Sequence, residues 1–170
     1  MTIDAIINQY DFNLAYAKAL VQDVSEEHMT QVPATGFENH PAFTLGHLVS
    51  GSAMLVEDLG GIFEMPNNWT ELFLRKGPGD PRKPDSDKSK YPSKMELLKV
   101  LEEKHIKVKQ ILIGTEENKL NETIKWRFSK YMPTLRDLVI FMCINHEAMH
   151  LGQLAAWRRA MNLPSALASL

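Results

Sequence analysis

Four stretches of this chain repeat apolar residues every three or four positions, and none of convincing length alternates them every two. That pattern calls for helices that each hide one face against the others. The first stretch covers about Thr2 to Val24, with Ile3, Ile6, Ile7, Tyr10, Leu14, Ala17 and Val21 on one stripe. The second covers about Pro41 to Leu59. Its proline falls where a first helical turn tolerates one, Phe43, Leu48, Met54 and Leu55 follow, and Gly60 and Gly61 stop it. The third starts at Ser93, where Glu96 three residues later matches a capping box, and Leu97, Leu98, Leu101, Val108, Ile111 and Leu112 carry it to about Gly114. The fourth runs from Thr134, with Asp137 near the positive end of the helix dipole, to about Met161, where Asn162 and Pro164 end it. The expected fold is all-α, a single domain over residues 1–170 with four main helices and long connections, for which 44% apolar content supplies a core.

The connections are polar. Ser25 to His40 reads as a link with a short turn at Ser25 to Met29, and Ile62 to Arg75 has room for a short helix around Trp69 to Leu74. From Gly77 to Pro92 nearly every residue is Pro, Gly, Asp, Ser, Lys or Arg, too little apolar material to offset ordering entropy. That segment is expected to be a mobile surface loop, with a lid over a site as the other reading. A net charge of -2 gives no field to draw nucleic acid or an acidic membrane. No apolar run approaches the ~20 residues that cross a bilayer, and Met1 to Tyr10 lacks the basic start and apolar core of a secretory signal, so a cytoplasmic location is expected. Cys143, the single cysteine, sits in an apolar helical run and reads as buried filler.

The chemistry-bearing pattern lies in the fourth helix, at His146-Glu147-Ala148-Met149-His150. Two imidazoles four residues apart project from one helix face, which Val139, Met142, Gln153 and Trp157 share, so both can grip one ion against the neighbouring helices. A catalytic metal site usually takes three protein ligands. The same five letters mark zinc proteases, with Glu147 as general base, but Leu151 to Leu170 contains no His, Asp, Glu or Cys to serve as a downstream ligand. The third ligand must come from upstream. His28 lies in a connection, His40 at a helix boundary where it reads as solvent-facing or a cap, and His105 among charged residues where it reads as a surface or edge residue. His47 lies on the second helix with Phe43 and the small Gly51 four residues to either side, and points inward. Glu147 is displaced about 100° from His146 and reads as a supporting or surface carboxylate before a catalytic base. Gln153 is placed to hydrogen-bond a ligand or the facing helix, and Arg158 and Arg159 read as surface complements to the helix dipole, with contact to an anionic substrate as the other role.

His40-Pro-Ala-Phe-Thr-Leu-Gly-His47-Leu, followed about a hundred residues later by Asn145-His146-Glu147-Ala-Met-His150-Leu-Gly-Gln153-Leu and then Trp157-Arg158-Arg159, resembles the DinB superfamily over nearly the whole chain. The resemblance implies an up-down-down-up four-helix bundle, often homodimeric, with nickel or zinc on histidines matching His47, His146 and His150. It also implies kinship to thiol-dependent S-transferases, among them bacillithiol transferases and mycothiol-dependent maleylpyruvate isomerase. The leading expectation is one divalent transition metal that activates a small thiol for attack on a small electrophile. Two others stand beside it: hydrolysis by a metal-activated water with Glu147 taking the proton, and a non-catalytic, metal-stabilised stress-response module.

Overall fold

The computed structural model describes residues 1–77 and 80–170. Among them the chain is helical, and Thr123 and Thr134 form an isolated β-bridge outside any strand. Helix α1 spans Ile3–Val21 and starts on Thr2, whose hydroxyl accepts from the Ala5 amide at 3.3 Å. It ends three residues before Val24, because the Lys94 ammonium reaches across to the Val21 and Val24 carbonyls at 3.2 and 2.5 Å and satisfies the helix end there.

Helix α2 spans Pro41–Asp58 with Pro41 in its first turn, as its sequence implies. It closes through Gly60, whose φ of 92° suits glycine, while the Gly61 amide donates to the Val56 carbonyl at 2.8 Å. A short helix α3 follows at Trp69–Phe73. Helix α4 spans Lys94–Ile113, and the Ser93 hydroxyl accepts from the Glu96 amide at 3.2 Å. The carboxylate that faces this helix start is Glu26, which accepts from the Lys94 amide at 3.1 Å, rather than Glu96. A further short helix, α5, spans Glu117–Leu120 in what reads from its residues as a polar link.

The last long helix is continuous but not uniform. It opens as α6, Leu135–Ile140, on a complete Thr134–Asp137 capping box, widens into a π-helical turn at Phe141–His146, and resumes as α7, Glu147–Ala160. Asn162, at φ 56°, ends it, and the Leu163 amide donates to the Arg158 carbonyl at 2.9 Å.

Helices α1 and α2 each pack against both α4 and α7. Lys109 bonds Asp11 at 2.5 Å and Lys18 meets Glu102 at 2.8 Å across the α1–α4 seam. The interior forms two buried clusters. One gathers Leu20, Leu45, Leu48, Phe73, Leu101, Leu154 and Trp157, the other Ile6, Tyr10, Leu55, Val108, Val139 and Cys143. On the last helix the second cluster reaches Cys143 and the first resumes at Leu151, so His146 and His150 occupy the interval between them. Cys143 is fully buried, as its apolar neighbours imply.

The segment Gly77 to Pro92 is polar and largely irregular, as its composition implies, with Pro78 and Gly79 outside the described residues. The remainder is threaded by hydrogen bonds. Arg82 donates to the Leu74 carbonyl at 2.8 Å, and the Asp85 amide donates to the Tyr91 hydroxyl at 2.9 Å. No helix is long and apolar enough to cross a membrane among the described residues.

Candidate metal centre

His47 stands on α2 between two glycines, Gly46 before it and Gly51 one turn on. A Cβ at Gly46 would fall 2.3 Å from the Phe73 ring, so only glycine lets α3 lie this close. The approach puts the Phe73 carbonyl 2.9 Å from His47 Nδ1. A carbonyl only accepts, so Nδ1 carries the proton and Nε2 keeps its lone pair. The Phe43 ring stacks on the imidazole, with centroids 5.7 Å apart and planes 12° apart.

His146 closes the π-turn and His150 lies one α-helical turn beyond it. Extra backbone of this kind re-aims the side chains that follow, and π-turns gather at functional sites. Gly51 makes room for His146 rather than for His47: a Cβ there would meet His146 Cε1 at 3.0 Å and Nδ1 at 3.3 Å. The three rings converge. Centroid separations are 5.4 Å for His47–His146, 4.6 Å for His47–His150 and 4.7 Å for His146–His150. One ligand nitrogen from each lies within 4.8 Å of the other two.

All three imidazoles resist protonation. Burial lowers His146 to about 3, with His150 and His47 adding to the shift, and lowers His150 to about 4, with His47 adding and Gln153 opposing. Burial also lowers His47, with the Phe73 carbonyl opposing and the Arg75 charge adding. Neutral rings with free lone pairs are what a transition metal needs. His150 Nδ1 is moreover buried without a hydrogen-bond partner, a loss that coordination or a bound ligand would offset. Three neutral imidazoles with ligand atoms within 4.8 Å of one another, one with an orphaned ring nitrogen, are a donor set that fits one transition-metal ion.

The other candidate residues take different places. Glu147 is not on the surface and does not join the three histidines: it is 3% exposed, and its carboxylate lies 2.8 Å from His105 Nε2. His105, read as a surface or edge residue, is fully buried on the face of α4 that meets α1 and α7, with Tyr10 of α1 stacked on it at 3.6 Å. Its place in the stripe Leu97, Leu101, His105, Val108, Leu112 was the available signal, outweighed by its charged neighbours. His40 does cap α2, accepting from the Phe43 amide at 3.1 Å, but it is buried rather than solvent-facing and donates through Nε2 to the Asp85 carbonyl at 3.0 Å. His28 is exposed. Gln153 is exposed beside His150 and accepts from Asn39 at 3.1 Å. Arg158, expected at the surface, is instead buried, donating to the Leu20 carbonyl at 2.8 Å, the Pro164 carbonyl at 2.8 Å and the Asp23 carboxylate, whereas Arg159 is exposed.

No curated protein matches the chain. A crystal structure described as the conserved protein of locus from Enterococcus faecalis is similar in fold, with a TM-score of 0.73 at 17% identity over 94% of this chain and 96% of that one. The family model described as the DinB superfamily matches residues 9–154, a span that includes all three histidines. The chain belongs to the DinB superfamily.

Proposed function

We propose that this protein is an up-down-down-up four-helix bundle that holds one divalent transition metal, nickel or zinc, on His47, His146 and His150. We propose further that it transfers a low-molecular-weight thiol to a small electrophile. The observation that carries the reading is the convergence of three neutral imidazoles, with ligand atoms within 4.8 Å of one another. The helix directions draw support from cross-links. Asp11 with Lys109 and Lys18 with Glu102 run counter, Asn13 with Cys143 and Leu20 with Arg158 run in step, and Gly51 with His146 and His47 with His150 run counter.

When bound, such an ion supplies a positive charge that lowers the pKa of a coordinated thiol or water near neutral pH. The chain's own residues set the rest. Phe73 fixes the His47 tautomer, and the rings of Phe43 and Phe141 flank His47 and His146. No protein thiol competes for the role, because the sole cysteine, Cys143, is buried and burial pushes its thiol well above the usual range. Glu147, the proton acceptor that hydrolysis would need, is engaged by His105, and among the described residues no carboxylate joins the three-histidine cluster. That favours an incoming thiol over an activated water.

The test is calorimetric titration of metal-loaded and metal-free protein with glutathione, coenzyme A, bacillithiol and mycothiol. Metal-dependent binding of at least one supports the reading, and its absence for all four removes those thiols from it. A homodimer in the cytoplasm belongs to the same proposal, and sedimentation equilibrium checks the pairing.

A further inference from the structure

We propose that Arg75 forms an anion subsite beside the three histidines, so that the small molecule accepted there carries a carboxylate or a similar anionic group on the Phe43 side. The inference rests on the reading above for what the histidines do, but not for what Arg75 binds.

Arg75 follows Phe73, the residue whose carbonyl holds His47, by two positions. Its guanidinium carbon lies 4.4 Å from the centroid of Phe43, and Phe43 in turn stacks on His47. One edge of the guanidinium is used: Nη1 donates to the Leu72 carbonyl at 3.0 Å and the Leu74 carbonyl at 3.4 Å, which finishes the end of α3. Nε and Nη2 donate to nothing among the described residues, and no carboxylate there forms an ion pair with Arg75. The Asp80 carboxylate nearby is taken, accepting from Arg82 Nε at 2.9 Å and the Lys76 amide at 2.9 Å.

A planar cation that is partly withdrawn from water ordinarily meets a carboxylate or phosphate in a two-point contact. Here the helix cap and the Phe43 ring account for one edge and one face, and no described residue takes the second edge. A molecule with one atom at the imidazoles and an anionic group at that edge would fill both places at once. Stacking on Phe43 holds the guanidinium in position before the ligand arrives.

Two thiols of similar size separate the claims. In cobalt-loaded protein, 3-mercaptopropionate is expected to bind about tenfold more tightly than 2-mercaptoethanol by calorimetry. The ratio should fall to about one in Arg75→Gln and stay intermediate in Arg75→Lys, which keeps the charge but not the fork. A ratio of one in the unaltered protein, or a preference undiminished in Arg75→Gln, overturns the subsite. A second measurement needs no thiol: propionate added to ¹⁵N-labelled protein, with and without zinc, should shift the Arg75 Nε–H signal saturably. No shift overturns the subsite. A shift with neither thiol binding supports the subsite and sinks the thiol reading instead.

Discussion

His105 Nε2 and Glu147 Oε1 meet at 2.8 Å in the interior, between side chains that are 1% and 3% exposed. Burial drives the imidazole down to about 3, with Lys109 and Lys18 adding to it, and burial drives the carboxyl up against the pull of Asn13. Both shifts favour an uncharged pair in which a protonated carboxyl donates to a neutral ring. His105→Phe would strip the carboxyl of its partner and should cost about 1–3 kcal/mol. Glu147→Gln keeps a donor to Nε2 and should cost about 1 kcal/mol or less. Urea unfolding of both, and of the His105→Phe/Glu147→Leu pair, checks this. Glu147→Leu measured alone completes the cycle: the double replacement should cost less than His105→Phe and Glu147→Leu combined, because no orphaned polar group remains. Glu147→Gln should also leave metal content unchanged, whereas a Glu147 that served the ion directly would lower it.

Gly46 and Gly51 flank the same histidine but guard different contacts. In Gly46→Ala the new methyl meets the Phe73 ring at 2.3 Å, so the ring and the carbonyl that holds His47 must shift. Overpacking of this kind should cost about 1–3 kcal/mol in thermal or urea unfolding, and metal affinity should fall with it. In Gly51→Ala the first contact is His146 Cε1 at 3.0 Å, a closeness that small ring motion relieves. Its stability loss should be the smaller of the two, while its loss of metal affinity should be comparable, since the displaced group is itself a ligand.

Arg158 fastens α7 to the end of α1 through Asp23, and its guanidinium holds the Asp23 carboxyl below its usual value. A depressed carboxylate contributes stability at pH values above the unfolded pKa, and loses it as the pH falls through the folded one. Asp23 is half-exposed, so solvent screening limits the effect to about 1 kcal/mol or less at pH 7. Asp23→Asn should therefore be slightly less stable than the parent at pH 7, and the difference should shrink as the pH falls below the ordinary carboxylate range and through the lowered pKa of Asp23, as read by urea unfolding. A difference that persists at low pH would mean the carboxylate charge is not what Arg158 uses.

The four long helices were legible because each advertises itself locally, through an apolar stripe and caps such as Pro41, Ser93, Thr134 and Asn162. His47, His146 and His150 were legible for the same reason, lying on stripes that face inward. What was hidden depends on partners distant in the chain. Arg158 is buried because Leu20 and Asp23 wait 138 and 135 residues away, and nothing beside it in sequence says so. His105 and Glu147 are separated by 42 residues, so read alone the first suggests a surface or edge residue and the second a supporting or surface carboxylate, and neither points to the other. The π-turn at Phe141–His146 has no local signature, since its residues are ordinary helix material. Phe73 supplies a backbone carbonyl, which any residue type could offer, so its hold on His47 could not be read from its side chain.

The central claim is a single ion held by three imidazoles, and metal stoichiometry tests it most directly. Elemental analysis of protein purified without added metal, followed by calorimetric titration with nickel and zinc, should give one ion per chain. His47→Ala, His146→Ala and His150→Ala should each weaken it by about a hundredfold or more while the far-ultraviolet circular dichroism stays helical. A protein that takes up neither ion at micromolar concentrations, or one whose affinity survives the loss of any of the three histidines, would contradict the account.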